Sequence, residues 1–181
     1  MMISHIHGRF QPFHREHADY ARWAAEDCDT LIVGITNADP SHIEPESEDP
    51  KRHKPKHNPF TYYERHRMIS NFLEESQINC GFFILPFPIN KPELLDHYAP
   101  RNIKYYINIL ESWHETKAER LANHGRDVVT KKDTRTVSSE SIRERMASGK
   151  EWKSDVPEPV ADYIDQINGR QRVSDLYSID L

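Results

Sequence analysis

Two histidines, His14 and His17, stand three residues apart where a helical pattern begins, just after a short apolar run holding Met2, Ile3 and Ile6. On a first helical turn this spacing puts both rings on one face, beside backbone N–H groups that lack an intrahelical partner and at the positive end of the helix dipole. Such a turn suits a polyphosphate. Ahead of the histidines, Gly8-Arg9-Phe10-Gln11-Pro12-Phe13 offers a glycine that lets backbone come close to a ligand and an arginine whose planar fork matches phosphate oxygens. A second turn of like character, Val137-Ser138-Ser139, opens a helix carrying Ile142 and Arg143. Serine before a helix is a common N-cap, which is the plain reading of Ser138 and Ser139. Two anion-suited turns in one chain point further, to phosphate chemistry.

The elements that must position these turns alternate in type. Ile3–His7 reads as a strand, Arg15–Glu26 as a helix packing through Ala18, Ala21, Trp23 and Ala25, and Thr30–Thr36 as a second, β-branched strand. A right-handed crossover makes these two strands parallel and sets the histidine turn at their carboxyl ends, where open α/β sheets bind ligands. Residues 38–58 hold four prolines, then acids (Glu44, Glu46, Glu48, Asp49) followed by bases (Lys51, Arg52, Lys54, Lys56). They read as a long inserted loop, either a solvated insertion or a substrate lid whose basic half touches phosphates.

Thr61 with Glu64 three residues on predicts a capping box before a helix over Tyr62–Glu75. Phe82–Pro88, Ile103–Asn108 and Asp127–Lys131 read as strands, Leu94–Tyr98 as a short helical piece, and Ser112–Asn123 and Ser139–Ala147 as helices. A last amphipathic helix starts at Pro157, carries Val160, Ile164 and Ile167, and is predicted to end at Gly169. The expected fold is α/β, a Rossmann-like doubly wound, mostly parallel five-stranded sheet in a single domain over residues 1–181, with 150–181 a C-terminal helical appendage.

With 181 residues the chain can bury one core, and a net charge of −5 argues against a general nucleic-acid binder. Any anion site must be local. Cys28 and Cys80 lack both metal-ligand spacing and disulfide density, and no apolar stretch approaches a membrane span. A cytoplasmic protein with reduced thiols is expected, as is a homo-oligomer without membrane or nucleic-acid partners. His42, His53, His57 and His66 read as scattered surface residues.

The stretch Gly8-Arg9-Phe10-Gln11-Pro12-Phe13-His14 resembles the first signature of the HxGH-type nucleotidyltransferase family, in the form of its archaeal-type nicotinamide-mononucleotide adenylyltransferases. Asn58-Pro59-Phe60-Thr61, Val137-Ser138-Ser139-x-x-Ile142-Arg143 and a tail at Gly149–Trp152, Val156 and Pro157 resemble later family segments in family order, so the likeness covers nearly the whole chain. The resemblance implies attack by an acceptor phosphate on the α-phosphorus of a nucleoside triphosphate, ATP favoured, with release of pyrophosphate. It implies His14, His17 and Arg143 as catalytic donors, and Gly8, Arg9, Phe10, Gly34, Ser138, Ser139 and Ile142 as nucleotide contacts. Asn90, after the third strand, and Trp113, just beyond the fourth, fall where an acceptor would lie. Core packing is the duller role for Trp113. Magnesium (Mg2+) would arrive on the nucleotide phosphates, since no cluster of acids suggests a protein metal site.

The chain departs from the family at three places. Glu16 replaces the glycine of His-x-Gly-His, Glu140 replaces a threonine of the second signature, and Leu110-Glu111-Ser112 stands where Gly-Asn-Pro is usual. Two acids near a triphosphate oppose its binding unless something compensates, for which the basic half of the 38–58 loop is a candidate. Three readings stay open: an enzyme joining ATP to nicotinamide mononucleotide, a cytidylyltransferase or similar enzyme for a small phosphate or phosphonate, and a nucleotide-binding protein without catalysis.

Overall fold

The structure, a computed structural model, describes residues 1–43 and 53–179. The middle of the predicted loop, including Glu44, Glu46, Glu48, Asp49, Lys51 and Arg52, lies outside the described residues.

Five strands form one sheet: β1 Ile3–Gly8, β2 Thr30–Ile35, β3 Gly81–Pro86, β4 Lys104–Ile109 and β5 Asp127–Lys132, in the order β3-β2-β1-β4-β5. The helices are α1 Arg15–Ala25, α2 Tyr62–Glu75, α3 Ser112–Asn123, α4 Ser139–Ala147, α5 Glu158–Gln166 and α6 Gly169–Ile179. All four strand pairings are parallel, where the sequence predicts a mostly parallel sheet. The predicted strands are found within two residues at each end, and Leu94–Tyr98 belongs to a 3-10 turn over Pro92–His97.

The contacts group into two compact units, one made of residues 1–9, 19–38 and 77–135 and the other of residues 10–18, 39–76 and 136–181. The first holds the sheet. Its core gathers Ile32, Phe87, Ile89, Leu95, Ile103, Tyr105, Ile107, Ile109 and Leu121. From β1 the chain winds outward through β2 and β3, then crosses to β4 and β5, so the winding reverses between β1 and β4. There the ladder is confined to Ser4 with Lys104 and His5 with Tyr105, and the two strands part toward their carboxyl ends. In open α/β sheets that opening is the ligand crevice. Cys28 and Cys80 are unbridged, their Sγ atoms 3.5 Å apart.

The second unit is helical. Thr61 Oγ1 accepts the Glu64 N–H at 3.2 Å while Glu64 Oε2 accepts the Thr61 N–H at 2.9 Å, the capping box the sequence predicts for α2. α2 packs on α5, and α4 on α6. Gly169 does not end the chain's last helix but opens α6, because Asn168 supplies the left-handed break with φ of 54°. Glycine is needed there for its size: a Cβ would lie 3.0 Å from Phe60 Cε1 and 3.1 Å from Ile164 Cγ2. The described part of this stretch, residues 150–179, thus carries both α5 and α6, and Arg172 ties it to α2 through Glu64 Oε2 at 2.7 Å and to the Pro59 carbonyl at 3.2 Å.

Candidate active site

The histidine turn is held from several sides within the second unit. Phe10, with φ of 54°, is its left-handed residue, so the bend predicted at Gly8 falls two residues later. Phe10 and Phe13 are buried and flank the His17 ring at 4.9 Å and 5.5 Å, while Phe13 packs on Phe72 of α2. The Gln11 side chain bonds both main-chain groups of Phe60.

On this footing His14 and His17 stack with ring centroids 3.7 Å apart. The His14 backbone N–H donates to His17 Nδ1 at 3.2 Å, which places the His17 proton on Nε2 when the ring is neutral.

The serine turn meets the histidine turn directly. Ser139 Oγ donates to the Pro12 carbonyl at 3.1 Å, and Arg143 Nη1 donates to the Gln11 carbonyl at 2.6 Å. Ser138 is the N-cap of α4: its Oγ accepts the Ser141 N–H at 3.0 Å, and Ser141 Oγ accepts the Ser138 N–H at 3.3 Å. Ile142 is fully buried behind them. Arg143 is only 1 % exposed, and burial pulls its pKa below the usual arginine value against the raising influence of Tyr177. Its second Nη donates to His57 Nδ1 at 3.2 Å, so His57 is half-buried in this network and not the surface residue its sequence suggests. Arg143 braces the backbone of the histidine turn. The amino end of α4, beside this turn, carries the positive end of a helix dipole, which favours an anion.

Glu16 behaves differently from a stray acid. Its Oε1 accepts from the backbone N–H groups of Thr136 and Val137 and from Thr136 Oγ1, the latter two at 3.1 Å and 3.0 Å. Backbone donors thus offset its charge, the role expected of the basic loop. Glu140 is exposed in the first turn of α4, where the helix dipole accommodates an acid.

The remaining candidates belong to the sheet unit. The Gly8 carbonyl accepts the Thr36 N–H at 2.9 Å, and Arg9 follows half-buried. Gly34 sits in β2 beside His7 of β1, and the close approach it permits is that of Phe87 and His5: a Cβ would lie 2.6 Å from Phe87 Cβ. Asn90 accepts from Arg120 Nη1 through Oδ1 at 2.9 Å. Trp113, partly exposed at the head of α3, stacks on His114 at 3.9 Å with Lys117 Nζ 3.9 Å from its ring centroid.

Sequence reasoning missed His7 and Asn108. His7 Nδ1 and Asn108 Oδ1 are buried polar atoms without hydrogen-bond partners, one near the carboxyl end of β1 and the other near that of β4. Burial is the main cause that holds the His7 pKa well below its usual value, and Lys117, His5 and His114 add to it. The signal was present in β1, where His5 and His7 alternate two apart in an otherwise apolar strand.

Among the described residues no group of three or more His, Cys, Asp or Glu side chains is arranged to hold a metal ion, and no helix is long and apolar enough to cross a membrane.

Sheet order, histidine turn and capped serine helix are together those of an α/β nucleotidyltransferase. Residues 6–145 match the cytidylyltransferase-like family, and the chain belongs to it. A phosphonoformate cytidylyltransferase of Streptomyces viridochromogenes is 37% identical over 171 residues, covering 93% of each chain. A nicotinamide-nucleotide adenylyltransferase of Picrophilus torridus is 33% identical over 187 residues, covering 99% of each. Among solved structures, a bifunctional NMN adenylyltransferase/ADP ribose pyrophosphatase from Francisella tularensis, complexed with AMP and a manganese ion, superimposes with a TM-score of 0.65 at 18% identity. That likeness shows the fold; it covers 99% of this chain, which spans 54% of the bifunctional one.

Proposed function

We propose that the protein transfers a nucleoside monophosphate from a nucleoside triphosphate to a phosphate-bearing acceptor, with ATP and nicotinamide mononucleotide as the favoured pair and NAD and pyrophosphate as products. The observation that carries the reading is the junction of the two turns: Ser139 and Arg143 bond the carbonyls of Pro12 and Gln11, which lead into His14 and His17.

The acceptor phosphate is already ionised near neutral pH. Its oxygen forms a bond to the α-phosphorus, the bond from that phosphorus to the α–β bridging oxygen breaks, and the electron pair leaves with pyrophosphate. No strong base is required, so the work is alignment and offsetting of charge. The Nε2–H of His17 and the His14 ring donate to oxygens around the α-phosphorus, and the amino end of α4 receives the outer phosphates. Arg143 acts as a positioning residue. A divalent ion, magnesium in this reading, would screen the triphosphate it arrives with.

A second pair, CTP with a small phosphonate, is favoured by Glu16, which stands where the family signature has glycine, and by the 37% identity to a phosphonoformate cytidylyltransferase. Pyrophosphate release measured with ATP, CTP, GTP and UTP against nicotinamide mononucleotide and phosphonoformate separates the two. Release with ATP and nicotinamide mononucleotide supports the first, release with CTP and phosphonoformate the second, and binding without release removes both.

A further inference from the structure

Cys28 and Cys80 are the chain's only cysteines. Both belong to the sheet unit, Cys28 two residues ahead of β2 and Cys80 one residue ahead of β3. The two strands are parallel neighbours with Thr30 opposite Gly81, and the Gly81 N–H donates to the Asp29 carbonyl at 3.0 Å. This ladder keeps the two backbones about 5 Å apart where the cysteines enter them, within the ~4.4–6.8 Å between Cα atoms that a disulfide spans. The side chains turn toward each other, and their Sγ atoms lie 3.5 Å apart as an unbridged pair.

Neither sulfur is sealed off. Each cysteine is half-buried, Cys28 between exposed Asp27 and Asp29, and Cys80 beside exposed Asn79. Burial and then the adjoining Cys28 thiol push the Cys80 pKa up to about 11, so Cys80 rests as a thiol near neutral pH. In an unfolded chain two cysteines 52 residues apart meet rarely, because closing such a loop costs entropy. Here the register of β2 on β3 makes the meeting permanent.

We propose that Cys28 and Cys80 form a two-electron oxidation site, which a small-molecule disulfide converts into an intramolecular disulfide joining the heads of β2 and β3. A thiolate of the pair attacks one sulfur of the small disulfide, forming a mixed disulfide and expelling one small thiolate. The other cysteine, as thiolate, then attacks the protein sulfur of that mixed disulfide. The Cys28–Cys80 bond forms, the mixed bond breaks and the second small thiolate leaves. Two electrons pass from the protein to the small disulfide, and the two thiol protons end on the released thiols. The new bond closes a loop of 52 residues, which restricts the unfolded chain, so the oxidised fold melts higher.

The test equilibrates wild-type protein with mixtures of reduced and oxidised glutathione, traps the products with acid, and maps them by peptide mass and non-reducing electrophoresis. The expected product is an intramolecular Cys28–Cys80 link without retained glutathione. Its thermal midpoint rises by about 5 °C or more, and dithiothreitol reverses the rise. Cys28→Ser and Cys80→Ser each stop at the mixed disulfide and show no such rise. In urea the same glutathione mixture gives at least about tenfold less link relative to mixed disulfide, since the loop has to close unaided. Wild-type protein that stops at the mixed disulfide, keeps both thiols or links between chains overturns the inference. So does a link that forms equally well in urea or leaves the midpoint unchanged. None of these readouts depends on nucleotidyl transfer.

Discussion

The Gln11 carboxamide pairs with both main-chain groups of Phe60, its Nε2 donating to the carbonyl at 2.8 Å and its Oε1 accepting the amide at 2.9 Å. Two segments 49 residues apart are joined as neighbouring strands would be, and the joint lies directly ahead of the stacked histidines. Gln11→Leu keeps the volume and orphans a buried N–H and a buried C=O, at about 1–3 kcal/mol each. The expected loss is roughly 2–6 kcal/mol in urea unfolding, and a loss below about 1 kcal/mol would show that Phe60 finds other partners.

His17→Ala removes the imidazole proposed to donate to oxygens around the α-phosphorus. Loss of one such transition-state donor typically costs about 2.7–4 kcal/mol, or roughly 10²–10³ in kcat. Circular dichroism should show the helices retained, since Phe10, Phe13 and Phe72 still pack. Turnover within threefold of wild type would remove His17 from the chemistry.

Gly34→Ala tests a packing role. The added methyl meets Phe87 Cβ at 2.6 Å and His5 Nε2 at 2.9 Å, so β2 or the Phe87 segment must shift. Overpacking of this kind costs about 1–3 kcal/mol. The thermal midpoint should fall by several degrees; an unchanged midpoint would place the side chain in open space.

Acid should destabilise the sheet unit through its buried histidines. His5 is held near neutral by burial and by Arg126, its pKa lowered to about 3 from 6.5, and the pKa of His7 is lowered as well. Below pH 6.5 the unfolded chain takes up protons that the folded chain refuses, so stability falls as pH drops from about 6.5 toward 3. Above 6.5 both states are neutral and these groups contribute no slope. Each histidine contributes up to about 1.4 kcal/mol per pH unit. Urea unfolding at pH 7, 6 and 5 should show the decline, with about half the slope lost in His5→Leu. Equal stability at pH 7 and pH 5 would contradict it.

Much of the fold was legible because its strands are short β-branched runs between capped helices, as with Thr61 and Glu64 at the head of α2. Strand order was not, since pairing is set by contacts far along the chain. Gly169 was misread because a glycine after an amphipathic stretch signals a stop equally well when its use is close packing against Phe60. At the candidate site the two turns announced themselves by residue type. Their working partners did not: Glu16 meets Thr136 across 120 residues, and Arg143 turns toward a backbone carbonyl, which no side-chain pattern encodes. His57 looked like one of many surface histidines until Arg143 was beside it.

The bonds from Ser139 to Pro12 and from Arg143 to Gln11 close loops of 127 and 132 residues. A ribosome therefore releases the imidazole pair long before the helix that braces it has been synthesised. Under the proposed reading, triphosphate can serve as a folding ligand only after the segment beyond Val137 has emerged.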